Sequence, residues 1–205
     1  MKKFAVFCSG FGSNLQAIIN ALKVGKIKNA QIGLVVSDCV DAYALVRAIK
    51  AKIPILYADP ADFKQRDAYD EFLALSLKNR KIKYVVFAGF MRKVGQNFVS
   101  CFKNRILNIH PALLPCFKGV NGVSDAFEYG VKVTGVTVHL VDEQLDHGPI
   151  ISQTALKIRN NDSHETLSQR IHRIEHKMYP KAIELLLSGD LIIKGRKVKI
   201  RGQDG

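Results

Sequence analysis

The chain has 205 residues, enough for one substantial domain. Hydrophobic residues make up 47% of it and no apolar run approaches the ~20 residues that cross a bilayer, so a packed core is expected and a membrane-spanning helix is not. A formal net charge of +13 attracts anions, whether nucleic acid, an anionic membrane surface or small polyanionic substrates, and since Lys and Arg are spread along the chain except from Lys194 to Arg201, it points only weakly to nucleic acid.

The first apolar run, Phe4 to Cys8, stops after five residues at Ser9-Gly10, too short for the roughly 7–15 apolar residues of a secretion signal. A continuous apolar run of this length predicts a strand buried on both faces. Ser9-Gly10-Phe11-Gly12-Ser13-Asn14 breaks it, and Leu15 to Leu22 then shows helical spacing. A strand is expected over Ile32–Ser37, a helix over Ala42–Lys52, a third strand over Pro54–Ala58 and a helix over Asp67–Lys78. Tyr84–Ala88 is the fourth strand, followed by Gly89-Phe90-Met91-Arg92 and a short helix around Gln96–Phe102. Arg105-Ile106-Leu107 opens a fifth strand that leads into Asn108-Ile109-His110-Pro111. This alternation predicts an α/β fold, a Rossmann-like, mainly parallel twisted sheet with right-handed crossovers and helices on both faces.

The pattern changes after residue 110. His110 to Gly122 reads as a Pro- and Gly-rich loop, and Ser124–Tyr129 as a helical turn. Thr134–Val141 and Ile150–Ile158 alternate as strands, separated by Asp142-Glu143-Gln144-Leu145-Asp146-His147-Gly148-Pro149. Ser163–Leu187 reads as one long helix capped by Asp162 or Ser163, with Glu165 or Thr166 close behind. Lys194-Gly195-Arg196 marks a hairpin between Leu191–Ile193 and Lys197–Ile200. With no linker or repeat, residues 1–205 are expected to form one domain, with a nucleotide-binding-like half over 1–107 and a mixed half over 108–205. The four cysteines are scattered without a C-x-x-C pair, which fits reduced thiols in a cytoplasm.

Several constellations carry chemistry. In an extended segment residues two apart share a side, so Asn108 and His110 project together, and Pro111 keeps His110 extended. An amide and an imidazole side by side can stabilise an oxyanion and move a proton; alone, the same residues could simply end a strand. Gly10-x-Gly12-x-x-Leu15 lacks the third glycine of the dinucleotide fingerprint. What is left at Gly12, Ser13 and Asn14 is either a set of amides at a helix start that cradles a single phosphate or an ordinary turn with its cap. Asp146 could orient His110 and favour its protonated form, or could be a turn residue beside Gly148 and Pro149. Metal binding by His110, His139 and Asp146 is not singled out by any spacing. His172-Arg173-Ile174-Glu175-His176 matches an inverted zinc-protease pattern, but the next acid, Glu184, lies ~18 Å along the same helix, too far to complete a site. His172 and His176 then read as surface or interface residues, while Glu175 could bind hydroxyls.

Together, Ser9 to Ile18, Ala88-Gly89-Phe90-Met91-Arg92, Asn108 to Pro115 and Leu145-Asp146-His147-Gly148-Pro149 resemble the phosphoribosylglycinamide formyltransferases, within the wider folate-dependent formyltransferase family. The resemblance runs in register from Phe4 to about Gly189. It implies transfer of the formyl group of 10-formyltetrahydrofolate, as co-substrate, to the amine of glycinamide ribonucleotide, in the cytoplasm and without a metal. Asn108, His110 and Asp146 match the family's catalytic triad. Gly12, Ser13 and Asn14 match its phosphate contacts, and Glu175 its ribose contact. Arg66, Met91, Arg92, Lys93 and Val94, with Asn108, match its folate contacts. The family motif also implies a cis Leu114-Pro115 bond, and the Gly-flanked Cys116–Asn121 segment beside His110 is expected to be a mobile, closing loop. Lys93 departs from an apolar family position, and Lys118 and Asn121 stand where Pro and His are common, which bears on the loop and some folate contacts rather than on the chemistry.

The expected partners are these two small molecules, with no nucleic acid and no membrane, in a monomer or homodimer. A formyltetrahydrofolate hydrolase would use the same triad on water but would carry an N-terminal regulatory domain, for which a first strand at Phe4 leaves no place. Methionyl-tRNA formyltransferase would carry a C-terminal barrel, and only about fifteen residues follow Gly189. A non-catalytic nucleic-acid binder would need exposed aromatics on a basic face, whereas the aromatics here lie mostly in apolar runs.

Overall fold

The structure, a computed structural model, describes residues 1–202. Its frame is a seven-stranded sheet in the order β3-β2-β1-β4-β5-β6-β7. The strands are β1 (Lys2–Phe7), β2 (Ala30–Ser37), β3 (Ile55–Tyr57), β4 (Tyr84–Phe87), β5 (Ile106–His110), β6 (Val133–Leu140) and β7 (Ile150–Lys157). Pairings from β3 through β5 are parallel, and β5–β6 and β6–β7 are antiparallel. The helices are α1 (Ser13–Lys23), α2 (Tyr43–Lys50), α3 (Arg66–Asn79), α4 (Gln96–Cys101), α5 (Gly122–Tyr129) and α6 (His164–Ser188). A separate hairpin, β8 (Leu191–Lys194) and β9 (Lys197–Ile200), follows α6.

The period-2 geometry of β1 explains its unbroken apolar sequence. Phe4, Val6 and Cys8 belong to one core layer with residues of α1, α2 and α6, while Ala5 and Phe7 belong to the opposite layer with α3 and α4. Helices on both faces, as expected, bury both sides of the strand.

The chain order reverses between β1 and β4, so the connections leaving their C-terminal ends diverge to opposite faces. A crevice opens at such a point in an open α/β sheet. Here the two departing segments are stitched together: Ser9 N donates to Gly89 O at 2.8 Å, and Met91 N to Ser9 Oγ at 2.9 Å. The expected boundaries hold to within a residue or two. α6 runs as one helix despite Pro180, capped by Ser163: Thr166 N donates to Ser163 Oγ at 3.2 Å and Ser163 N to Thr166 Oγ1 at 2.9 Å. The expected helical turn before Tyr129 is an eight-residue helix, starting at Gly122. Leu114-Pro115 is cis.

Candidate active site

A cavity of about 790 Å³ occupies this crevice, within the range of small-molecule sites. Gly12, Ser13 and Asn14 line one end, Met91, Arg92, Lys93 and Val94 another wall, and Asn108, His110 and Asp146 the floor; Glu175 faces it from α6.

The floor is fixed by strand register. Asn108 pairs directly with His139 across β5–β6, and His110 with Thr137. Directly opposite residues put their side chains on one face, so Asn108, His110 and His139 share the cavity side. Asp146 comes from the loop after β6, with φ 46, an uncommon conformation for a residue with a side chain. Gly148 admits no Cβ, which would run into Leu140 O, so the chain returns to β7 tightly enough to hold Asp146 over the floor.

Four groups converge there. His139 Nδ1 donates to Leu140 O at 2.8 Å, which turns Nε2 toward Asp146 Oδ1 at 3.6 Å. Asn108 Nδ2 lies 3.1 Å from that nitrogen and donates to Asp146 Oδ1 at 3.4 Å. Asp146 Oδ2 accepts the Gly119 amide at 2.8 Å and lies 3.5 Å from His110 Nδ1. On its other side His110 Nε2 donates to Phe117 O at 2.7 Å. The loop after the cis bond therefore rests on the floor, with Phe117 (φ 51) touching the imidazole and Gly119 the carboxylate.

Burial pushes the His110 pKa below the ordinary histidine value, and the neighbouring Asp146 only partly opposes it. Desolvation of a ring only 3% exposed outweighs a carboxylate that contacts it at 3.5 Å and is shared with the Gly119 amide. Burial also works against ionisation of Asp146, but the His139 ring, the Gly119 amide and the His110 ring outweigh it and hold the carboxyl below its usual range. Relative to free side chains, the site thus disfavours the imidazolium and favours the carboxylate. A proton arriving at Nδ1 would find its partner in place.

At the other end, Gly12 precedes α1 with φ 73, and a Cβ there would sit 2.8 Å from Ala44 Cβ. Only glycine meets both demands. The first amides of α1 have no intrahelical partner and Gly12 supplies no capping side chain, which leaves them for an anion. Asn14 Nδ2 donates to Glu175 Oε2 at 3.0 Å, and His172 Nδ1 to the same oxygen at 2.9 Å. Asn14 Oδ1 is buried without a partner. Glu175, 4% exposed, thus joins the glycine loop to α6.

Most residues named from the sequence meet in this one space. Arg66 opens α3 beside Asp70 and Gly95 and is not among the residues lining this cavity. His172 and His176, read as surface or interface residues, line the cavity, because the α6 face that carries Glu175 carries them too. Of the departing residues, Lys93 and Asn121 line the cavity. Sequence reasoning missed His139, weighed only as a metal ligand; a polar residue two places after Thr137 in an apolar strand was the available signal. It also missed Phe117 and Gly119, which act through backbone atoms and leave no side-chain signature. Among the described residues no group of three or more His, Cys, Asp or Glu is arranged to hold a metal ion.

The family described as formyl transferase matches residues 2–183. A phosphoribosylglycinamide formyltransferase of Bacillus subtilis (strain 168) is 43% identical over 187 residues, covering 91% of this chain and 95% of its own. A trifunctional purine biosynthetic protein adenosine-3 of Drosophila pseudoobscura pseudoobscura is 44% identical over 191 residues, 93% of this chain but 14% of that longer protein. The crystal structure of glycinamide ribonucleotide transformylase 1 from Symbiobacterium toebii superposes with a TM-score of 0.95 at 44% identity, covering 98% of this chain and 94% of that one.

Proposed function

The chain belongs to the formyl transferase family, and on that premise we propose that it is a phosphoribosylglycinamide formyltransferase: it moves the formyl group of 10-formyltetrahydrofolate to the amine of glycinamide ribonucleotide, a step of purine biosynthesis. The supporting observation is one cavity with an anion-ready helix start at one end and the Asn108, His110 and Asp146 cluster on its floor. Both substrates are small anions, which the positive charge of the chain favours.

In this reading the ribonucleotide phosphate takes the amides of Gly12, Ser13 and Asn14, and the ribose takes Glu175, which Asn14 already holds. The folate lies along Met91, Arg92, Lys93 and Val94 and delivers its formyl carbon above β5. The amine attacks that carbon and a tetrahedral oxyanion forms. His110 Nε2–H turns from the Phe117 carbonyl to the oxyanion, and the Asn108 amide supplies a second donor. A solvent proton taken up at Nδ1 makes His110 positive against the oxyanion, and Asp146 stabilises that charge through Nδ1. Asp146 also positions a water that carries the proton from the attacking nitrogen to the leaving nitrogen, and the shared cavity supplies the orientation term. We read 1–205 as a single formyltransferase domain, supported by a sheet that runs unbroken from β3 to β7. No described helix is long and apolar enough to cross a membrane, and a cytoplasmic monomer or homodimer without a nucleic-acid partner is our reading.

The test is tetrahydrofolate release from 10-formyltetrahydrofolate with and without glycinamide ribonucleotide. Release that requires the ribonucleotide and yields its formylated product is expected. Equal release without it would replace this reading by a hydrolase.

A further inference from the structure

The C-terminal hairpin reaches the loop that carries Asp146. β8 and β9 are joined through Gly195 (φ 58) and Arg196, while Leu191 and Ile193 pack on the core beneath them. Arg196 Nη1 lies 3.2 Å from Nδ1 and 3.0 Å from Nε2 of His147. An atom that close to both ring nitrogens cannot lie in the ring plane, because Cε1 occupies the space between them. The guanidinium therefore rests on the imidazole face, an arrangement its planar, delocalised charge favours.

In the ring plane, His147 Nδ1 donates to Asp142 Oδ2 at 2.8 Å, and Asp142 Oδ1 accepts the Gln144 amide at 3.0 Å. One carboxylate thus closes the turn from both ends. Asp146 sits inside that closed turn in its left-handed conformation. Asp142, Gln144, Leu145 and Asp146 all line the cavity, and Gln96 Nε2 donates to Glu143 Oε1 at 3.1 Å, tying the turn to the segment that follows Met91–Val94.

We infer that Arg196 is a positioning residue: stacked on His147, it holds the 142–147 turn, and so sets both the placement of Asp146 and the wall along which the folate lies. The inference rests on the formyl-transfer reading above. It reaches one end of the cavity only, since the turn makes none of the contacts that hold Gly12, Asn14 and Glu175.

The experiment compares Arg196→Ala, His147→Ala, the double variant and Arg196→Lys with the wild type in kcat, in KM for each substrate and in amide exchange of residues 143–147. A misplaced catalytic group costs rate steeply, so kcat should fall roughly 3–10-fold in Arg196→Ala while KM for the formyl folate rises and KM for the ribonucleotide stays put. The double variant should equal His147→Ala. Arg196→Lys should resemble Arg196→Ala, because an ammonium keeps the charge and loses the plane. Exchange at 143–147 should quicken in every variant, and this readout stands even if the wild type transfers no formyl group. Unchanged exchange, additive single losses, a rise in both KM values together, or wild-type kinetics in Arg196→Lys would each overturn the inference.

Discussion

Replacing Asp146 by Asn removes a charge while keeping the shape of the side chain. Asp146 Oδ2 lies 3.5 Å from His110 Nδ1, and at an effective dielectric constant of about 20 two unit charges that far apart attract by roughly 4–5 kcal/mol. Burial disfavours the charged imidazole before the oxyanion forms, so the attraction counts mainly once a proton taken up at Nδ1 makes His110 positive against it. At about 1.36 kcal/mol per tenfold, turnover should fall by roughly 10³-fold, close to the roughly 10⁴-fold loss of an orienting carboxylate in a serine-protease triad. The fold should survive. An Asn oxygen can still accept the Gly119 amide. Formyl transfer measured under saturating substrates, beside ribonucleotide binding and a melting curve, checks each part. Ribonucleotide affinity should hardly move, because its proposed site lies at the Gly12 end. Turnover above about a tenth of wild type would mean that Asp146 only shapes its turn and that the charge argument is wrong.

Two further outcomes follow from geometry already described. By NMR, the His110 ring should titrate below 6.5 and the His172 ring above it, the first from burial and the second from its hydrogen bond to Glu175. Asp146→Asn should lower the His110 midpoint further, and Glu175→Gln should bring His172 down; movement of either in the opposite direction would contradict these causes. The linkage signs differ: the contribution of His110 to stability is complete above pH 6.5 and lost as the pH falls toward its folded midpoint, whereas that of His172 is complete below 6.5 and lost as the pH rises through its folded midpoint. Gly12→Ala combines a left-handed backbone penalty of about 1–2 kcal/mol with a Cβ placed 2.8 Å from Ala44 Cβ, so the melting temperature and the ribonucleotide affinity should both drop; unchanged values would show that the loop can relax around the methyl group.

The sheet was legible because its strands are buried on both faces and write themselves as apolar runs, as Phe4–Cys8 does. The chemistry-bearing side chains were legible for a different reason: Asn108 and His110 sit on the same side of one strand, and Asp146 beside a glycine and a proline that force a turn. What sequence could not supply was the balance of energies at His110, since its burial comes from α5, β6 and the 116–121 loop packed around it. Nor could it supply contacts made by backbone atoms. Any residue at 117 has a carbonyl, and only the folded loop brings that carbonyl to His110.

The register of β5 has a consequence for how the enzyme comes into being. Asn108 is bonded on one side to the strand of Phe87 and on the other to that of His139. A slip of one residue along either neighbour would send Asn108 and His110 into the core and bring Ile109 to the cavity. The site therefore has no partly assembled form with partial activity. It exists only once a parallel partner along Ile106–Asn108 and an antiparallel one along Leu107–His110 have both locked onto β5. During folding, activity should appear in a single step with the last of those pairings, while deletions that shorten the surface connections on either side leave it untouched so long as the count within the strand is kept.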